Sequence, residues 1–254
     1  MGFKDHFSRH AELYRRYRPT YPDAVFAWLA SISPGRALAL DVGTGNGQAA
    51  VKLADHFDQV LATDASAAQV DAATPHPKVD YRVARAEDSG LADASVDLVL
   101  AAQAFHWFDF DTFFAECRRV VRPRGVVAAL TYFHPTITPA VDAVLASYID
   151  HVRADWPLER RFVDARYRNV PWPFDEVAVP DFEMTLELDL DGFLGYLATW
   201  SAAQRYRERT GLDPRARFIV YFSEAWGDPH RPSLVRFPLG GRVGFVRGSH
   251  VIRT

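Results

Sequence analysis

The chain is poor in cysteine and has no long apolar run. Cys117 is the single cysteine, so no intrachain disulfide can form and a disulfide-stapled secreted fold is excluded. One thiol cannot build a thiolate metal centre, and no metal is expected. A reducing, cytoplasmic compartment is the expected setting. No apolar stretch approaches the ~18 residues that mark a bilayer span. The strongest runs, Leu98 to Ala102 and Val126 to Leu130, have the length of strands. The opening MGFKDHFSRHAELYRRYRP lacks the apolar core of a signal peptide. Nor is one charge in excess. The 29 basic and 32 acidic side chains leave a net charge of -3, which argues against a protein that coats nucleic acid or a membrane.

Apolar material is plentiful. Hydrophobic residues make up 48% of 254, enough for a sizeable core, and this sets intrinsic disorder aside. Residues 4 to 17 read as a short amphipathic helix, with Phe7, Ala11 and Tyr14 on one face. Arg18-Pro19 ends it, and Pro22 is placed to open a second helix, to about Ser31. Strand and helix signals then alternate. Strands are predicted at 37–42, 59–64, 79–83, 96–102 and 126–132, with helices at 48–56, 66–73 and 111–121. That rhythm implies a doubly wound, mostly parallel α/β sheet. Beyond Phe133 the pattern loosens through a proline- and aromatic-rich stretch to about Pro180. A strand at 182–188 follows, then a helix capped by Asp191 and running to about Arg209. A further helix opens at Asp213-Pro214, and closing strands lie at 235–237 and 242–246. The whole reads as one domain, 1–254: an N-terminal helical lid (1–33), a ligand-binding core (36–133), and a substrate cap with closing strands (134–254).

The informative segment is Leu40-Asp41-Val42-Gly43-Thr44-Gly45-Asn46-Gly47-Gln48. It follows a predicted strand and opens a helix, where glycines permit a tight turn and close backbone approach to a ligand. A dinucleotide fingerprint reads G-x-G-x-x-G, but here the spacing is G-x-G-x-G. The acid Asp41 stands where dinucleotide folds carry an apolar residue. A carboxylate there suits a cationic amine better than a pyrophosphate. Asp64 ends the second strand, 19 residues after Gly45, and can accept from ribose hydroxyls. Ala86-Glu87-Asp88 follows the third strand, where an adenine edge would lie.

These pieces resemble the class I S-adenosylmethionine-dependent methyltransferases. The matching segments are LDVGTGNGQ, TDAS (63–66), ARAED (84–88), SVDLVLAAQAFHWFD (95–109) and RRVVRPRG (118–125). AFHWFD and the early YRRYRPTYP are similar to the small-molecule branch that includes trans-aconitate methyltransferase-like proteins. The resemblance implies a Rossmann-like sheet of seven strands, S-adenosylmethionine as cofactor and a small-molecule methyl acceptor. It implies that Asp41 lies near the amino end of the cofactor and that Gly43, Thr44, Gly45 and Gly47 shape the loop beneath it. Asp64 and Ala65 would meet the ribose, Ala86 and Glu87 would edge the adenine, and Ala102 and Gln103 would meet the methionine part. Arg85 departs from the family, where an acid often precedes the Ala-Glu pair, which leaves open the side chain that reaches the adenine amine.

His106 and Trp107 can either pack at a strand end or line the acceptor pocket, with His106 as a candidate base. Tyr14, Tyr17, Arg18 and Tyr21 either pin the N-terminal helix or close over the cofactor and an anionic acceptor. Trp200 reads as core, and Arg118, Arg119, Arg122 and Arg124 as charges at a helix C-terminus. No acid/base pair stands out, which favours an acceptor already ionised, a carboxylate, or a hydroxyl served by a weak base. Two other classes remain open at this point: a nicotinamide-dependent oxidoreductase, and a protein that binds the cofactor without catalysis. An RNA methyltransferase lacks a visible basic stripe. Oligomeric state is not legible.

Overall fold

The structure is a computed structural model that describes residues 17–247. The predicted N-terminal helix, with Tyr14, lies outside the described residues except for Tyr17. Helix α1 (Asp23–Ile32) buries Val25, Phe26, Leu29 and Ala30, one stripe at helical spacing, and Pro22 is its N-cap rather than its first residue. The alternating half follows as β1 (Leu38–Val42), α2 (Gln48–Leu53), β2 (Gln59–Asp64), α3 (Ala67–Asp71), β3 (Val79–Val83) and β4 (Val96–Ala102). A 3-10 turn (Phe105–Trp107) leads to α4 (Phe110–Val120) and β5 (Val121–Tyr132). Asp109 caps α4 by accepting from the Thr112 amide.

The sheet order is β3-β2-β1-β4-β5, all parallel. The order reverses between β1 and β4, so their C-terminal ends frame the crevice where doubly wound sheets bind ligands. Residues 122–125, which lie between the predicted helix and strand, are inside β5. The helix passes straight into the strand because Val121 already pairs with Val96, and a register shift before Leu98 absorbs the extra residues. Asp97, 1% exposed, ties this end of the sheet together. One oxygen accepts from the Ala37 and Leu38 amides and the other from Arg122.

The second half adds α5 (Pro139–His151), α6 (Arg160–Asp164), β6 (Asp175–Val177), β7 (Phe182–Leu188), α7 (Leu190–Ala198), α8 (Ser201–Thr210), α9 (Ile219–Trp226) and β8 (Ser233–Phe245). The two predicted closing strands are one strand, β8, antiparallel to β5. It is long enough to pair with β7 over 233–239 and with β6 over 243–245, which makes the sheet eight-stranded rather than seven-stranded. The predicted helix to Arg209 is two helices. Its cap is Asp189, which accepts from Gly192 N, and not Asp191. The Thr199 hydroxyl takes the Tyr196 carbonyl at 2.6 Å, and Trp200 is extended (φ -70°, ψ 137°), so the chain turns there. Residues from Asp213 form turns, and helix resumes only at Ile219. Helix α5, capped by Thr138, has no clear sequence signal because prolines and aromatics surround it.

Two apolar layers sandwich the sheet. One packs Phe26, Leu29, Leu53, Tyr148, Phe193 and Phe222 on one face, and the other packs Phe105, Phe113, Cys117 and Tyr167 on the opposite face. Among the described residues no helix is long and apolar enough to cross a membrane.

Candidate active site

Gly43, Gly45 and Gly47 all adopt positive φ, at 68°, 57° and 84°, a region that costs other L-residues roughly 1–2 kcal/mol. The loop is anchored by Gly43 N and Thr44 N, which donate to Thr63 O at 2.8 and 2.9 Å. A methyl group on Gly43 would stand 2.5 Å from the Ala104 Cβ, whereas at Gly45 the nearest atom is the Gln69 side-chain oxygen at 3.8 Å. The loop after β1 thus rests on the loop after β4 at Gly43, while the Gly45 backbone has room before it.

Asp41 is 1% exposed. One carboxylate oxygen accepts from Thr44 Oγ1 at 2.6 Å, and the other is buried without a partner. Burial, with a smaller contribution from the charge of Asp64, pushes its pKa up to about 7. Asp64 accepts from Gly45 N on one oxygen and from Ser66 N on the other, both at 2.9 Å. Those bonds fix the carboxylate and leave further lone pairs on each oxygen. A partnerless buried carboxylate oxygen, an oriented second carboxylate and an open glycine backbone fit the cationic amine and ribose of S-adenosylmethionine. Ala65 is exposed and Ala86 is buried. Glu87 accepts from Asp109 N at 3.0 Å and pairs with Arg85 at 3.2 Å, so the departure at Arg85 holds the very acid expected at the adenine edge.

A cavity of about 110 Å³ adjoins the ends of β4 and β5, lined among others by Arg18, Gln103, His106, Trp107, Arg160 and Trp200. Gln103, next to half-buried Ala102, stands at positive φ (58°). Its side-chain oxygen accepts from Thr131 Oγ1 at 2.6 Å and from Tyr132 N at 3.1 Å. Arg18 donates to the Thr199 hydroxyl and carbonyl and to the Tyr132 hydroxyl, and it lies over the Tyr196 ring at 5.3 Å. Arg160 donates to Asp164 and meets His134 Nε2 at 2.8 Å. It lies 4.5 Å over the Trp156 ring. Among the described residues no carboxylate lines this cavity.

His106 Nδ1 is 3.1 Å from the Tyr167 hydroxyl. Burial, and secondarily the charge of Arg160, press its pKa down to about 3, and the same causes act on His134. Both rings are neutral at pH 7, and His106 is a poor base. Burial also raises Tyr196 to about 12.

The structure divides the N-terminal cluster. Arg18 reaches the cavity. Tyr21 is 8% exposed and sits in the apolar core. Tyr17 packs on Gly195 and lines a separate hollow with Leu194 and Arg207. These two tyrosines therefore do not line this cavity, whereas Arg18 does. Trp200 is core, as expected, and also cavity wall. Sequence reading missed Arg160, Tyr167, His134 and Trp156. They arrive from the irregular stretch after Phe133, where no local pattern marks them.

Residues 40–129 match a family model described as a methyltransferase domain. A provisionally named methyltransferase of Dictyostelium discoideum is 31% identical over 204 residues, 78% of each chain. A Saccharomyces cerevisiae protein, named a probable S-adenosylmethionine-dependent methyltransferase, is 28% identical over 144 residues, 53% of this chain and 50% of that one. A solved structure from Anaeromyxobacter dehalogenans, provisionally designated a type II methyltransferase, aligns with a TM-score of 0.86 and 48% identity. That match covers 91% of this chain and 99% of the other.

Proposed function

The chain belongs to the class I S-adenosylmethionine-dependent methyltransferases, and we propose that it methylates a small carboxylate held between Arg18 and Arg160. Family membership sets the oxidoreductase alternative aside. The observation that carries the carboxylate reading is the charge of the cavity: among the described residues its lining holds two guanidinium groups, aromatic walls and no acid. A guanidinium presents several fixed donors matched to a carboxylate. The resemblance to the trans-aconitate branch points the same way.

Asp41 and Asp64 would hold the amine and the ribose of the cofactor, with the Gly43–Gly47 backbone beneath it. Gln103 belongs to both regions, as a predicted cofactor contact and as cavity lining. When bound, S-adenosylmethionine supplies an electrophilic methyl group on a sulfonium. The protein's task is then to hold a carboxylate oxygen in line at roughly 3–3.5 Å and to keep water out. Trp107, Trp156 and Trp200 exclude water, and the two arginines orient the anion. An ionised carboxylate needs no base, which suits a cavity whose His106 is neutral and only weakly basic. Arg18, from the segment read as an N-terminal lid, forms one wall of the cavity.

The test is methyl transfer from methyl-labelled cofactor to a panel of small carboxylates. The expected product is an ester that releases labelled methanol in mild alkali. A label stable to alkali excludes carboxylate methylation. Cofactor binding without transfer to any panel member favours a non-catalytic role.

A further inference from the structure

Gln103, the first residue after β4, is tied to three consecutive residues of β5. Its amide donates to Leu130 O at 2.8 Å. Its side-chain oxygen accepts from the Thr131 hydroxyl at 2.6 Å and from the Tyr132 amide at 3.1 Å. The φ of 58° is uncommon for a residue with a side chain. Such backbone persists where the surrounding contacts over-determine it, often at functional sites.

Those bonds decide which end of the carboxamide is which. A backbone N–H can only donate, so the atom that meets Tyr132 N is the oxygen, since the reversed amide would set two donors against each other. The Thr131 hydroxyl then donates to the same oxygen. With Oε1 committed to β5, the amino group Nε2 has no hydrogen-bond partner among the described residues. Nor is it sealed in the interior as an orphaned donor. Gln103 lines the cavity, so its two N–H bonds open there, in a direction that turning the amide would forfeit both bonds to reverse.

The arginines of the cavity are charged donors and already shared, Arg18 with Thr199 and Tyr132 and Arg160 with Asp164 and His134. Gln103 adds a neutral donor at the C-terminal end of β4, beside β1, where the sheet's ligand crevice opens. In methyl transfer to a carboxylate, one oxygen forms the bond to the methyl carbon and the sulfur keeps the electron pair of the broken C–S bond. The second oxygen becomes the carbonyl of a neutral ester. An N–H donor matches that second oxygen both before and after the step.

We propose that Gln103 Nε2 donates to the acceptor carboxylate, on the oxygen that becomes the ester carbonyl, and that this fixed donor sets specificity for a carboxylate over a carboxamide of the same shape. A carboxamide has one oxygen for the donors of Gln103, Arg18 and Arg160, and must set its amino group against one of them. This rests on the carboxylate reading above.

The test is Gln103→Glu, which keeps an oxygen for Thr131 and Tyr132 and puts a second oxygen in place of Nε2. Propanoate, butanoate and benzoate are titrated by calorimetry into the unaltered chain and the variant, each saturated with S-adenosylhomocysteine, at about pH 8 and about pH 5.5. His106 and His134 are neutral across this range and the arginines stay charged, so neither supplies a pH dependence of its own. Relative to the unaltered chain at the same pH, the variant should bind the best of the three about tenfold or more weakly at pH 8, the scale of a hydrogen bond to a charged group. It should regain much of that at pH 5.5, where a protonated Glu side chain donates as Nε2 did. Affinity for S-adenosylhomocysteine should stay within about twofold. Undiminished carboxylate affinity overturns this proposal alone, as does a loss equal at both pH values or one that falls on S-adenosylhomocysteine instead. A second readout does not depend on the variant folding. In nitrogen-labelled unaltered chain with S-adenosylhomocysteine bound, the Gln103 side-chain NH2 signals should move as a carboxylate saturates the site, and signals that stay in place overturn the assignment. Failure of every carboxylate to bind the unaltered chain overturns the carboxylate reading and this proposal with it.

Discussion

Arg160 donates to His134 Nε2 across 2.8 Å and so joins α6 to the chain just after β5. Together with the Trp156 ring beneath it and Asp164 beside it, this contact holds the guanidinium in place before any ligand arrives. Replacing Arg160 by Gln should raise KM for an anionic acceptor about 10–100-fold, the range for losing a charged hydrogen-bond partner worth about 1.5–3 kcal/mol. Affinity for S-adenosylhomocysteine, measured by calorimetry, should change little.

If Asp41 holds the cofactor's amine as proposed, cofactor binding should depend on pH. Its folded-state pKa, about 7, lies above the ordinary value of 3.8, so the native state holds a proton that the unfolded chain has released between these values. Stability should therefore fall as pH rises from about 4 to about 7. Affinity for the cationic amine should run the opposite way, increasing from pH 6 to pH 8 as the carboxylate ionises. Calorimetry at pH 6 in buffers of different ionisation enthalpy should detect proton release on binding S-adenosylhomocysteine, and Asp41→Asn should abolish it.

Asp64→Ala should weaken S-adenosylhomocysteine binding by about 1–3 kcal/mol, the cost of removing a charged acceptor. The variant also frees the Gly45 and Ser66 amides, so circular dichroism must accompany the titration. Unchanged affinity in a folded variant removes Asp64 from the ribose role.

The glycine loop separates packing from backbone strain. Gly43→Ala meets both a positive φ and the Ala104 methyl at 2.5 Å, while Gly45→Ala meets positive φ alone. Thermal unfolding should show Gly45→Ala losing about 1–2 kcal/mol from the left-handed backbone, and Gly43→Ala losing clearly more.

Asp97→Ala leaves the Ala37 and Leu38 amides and Arg122 without their carboxylate. Breaking a buried charged cluster of this kind costs about 3–5 kcal/mol. Urea titration should show a loss of that size.

The ligand end of the sheet was legible because its signals are local. Strands at 59–64, 79–83 and 96–102 fall where their apolar runs place them, and Asp41 and Asp64 stand at strand ends whose positions the runs define. The cavity lined by Arg18 and Arg160 was not legible. Arg160, His134 and Tyr167 are separated from Arg18 and Gln103 by long stretches of chain, and only tertiary packing unites them. Asp189 and Asp191 are equally plausible caps in sequence, and the hydrogen bond to Gly192 decides between them. The bend at Thr199 and Trp200 escaped notice because neither residue breaks a helix by propensity alone. A side-chain bond to the preceding turn and a contact with distant Arg18 make it.

Strand β8 is the last of the described strands yet lies inside the sheet, between β5 on one flank and β6 and β7 on the other. Until those residues leave the ribosome, β5 exposes an unpaired hydrogen-bonding edge, and β6 and β7 have no neighbour to join. The parallel half can pair early, but the sheet closes only after residues 233–245 have been made. Such late, long-range pairing slows folding and exposes aggregation-prone edges, so expression of this protein should benefit from slow, cool production and from chaperones that shield nascent strands.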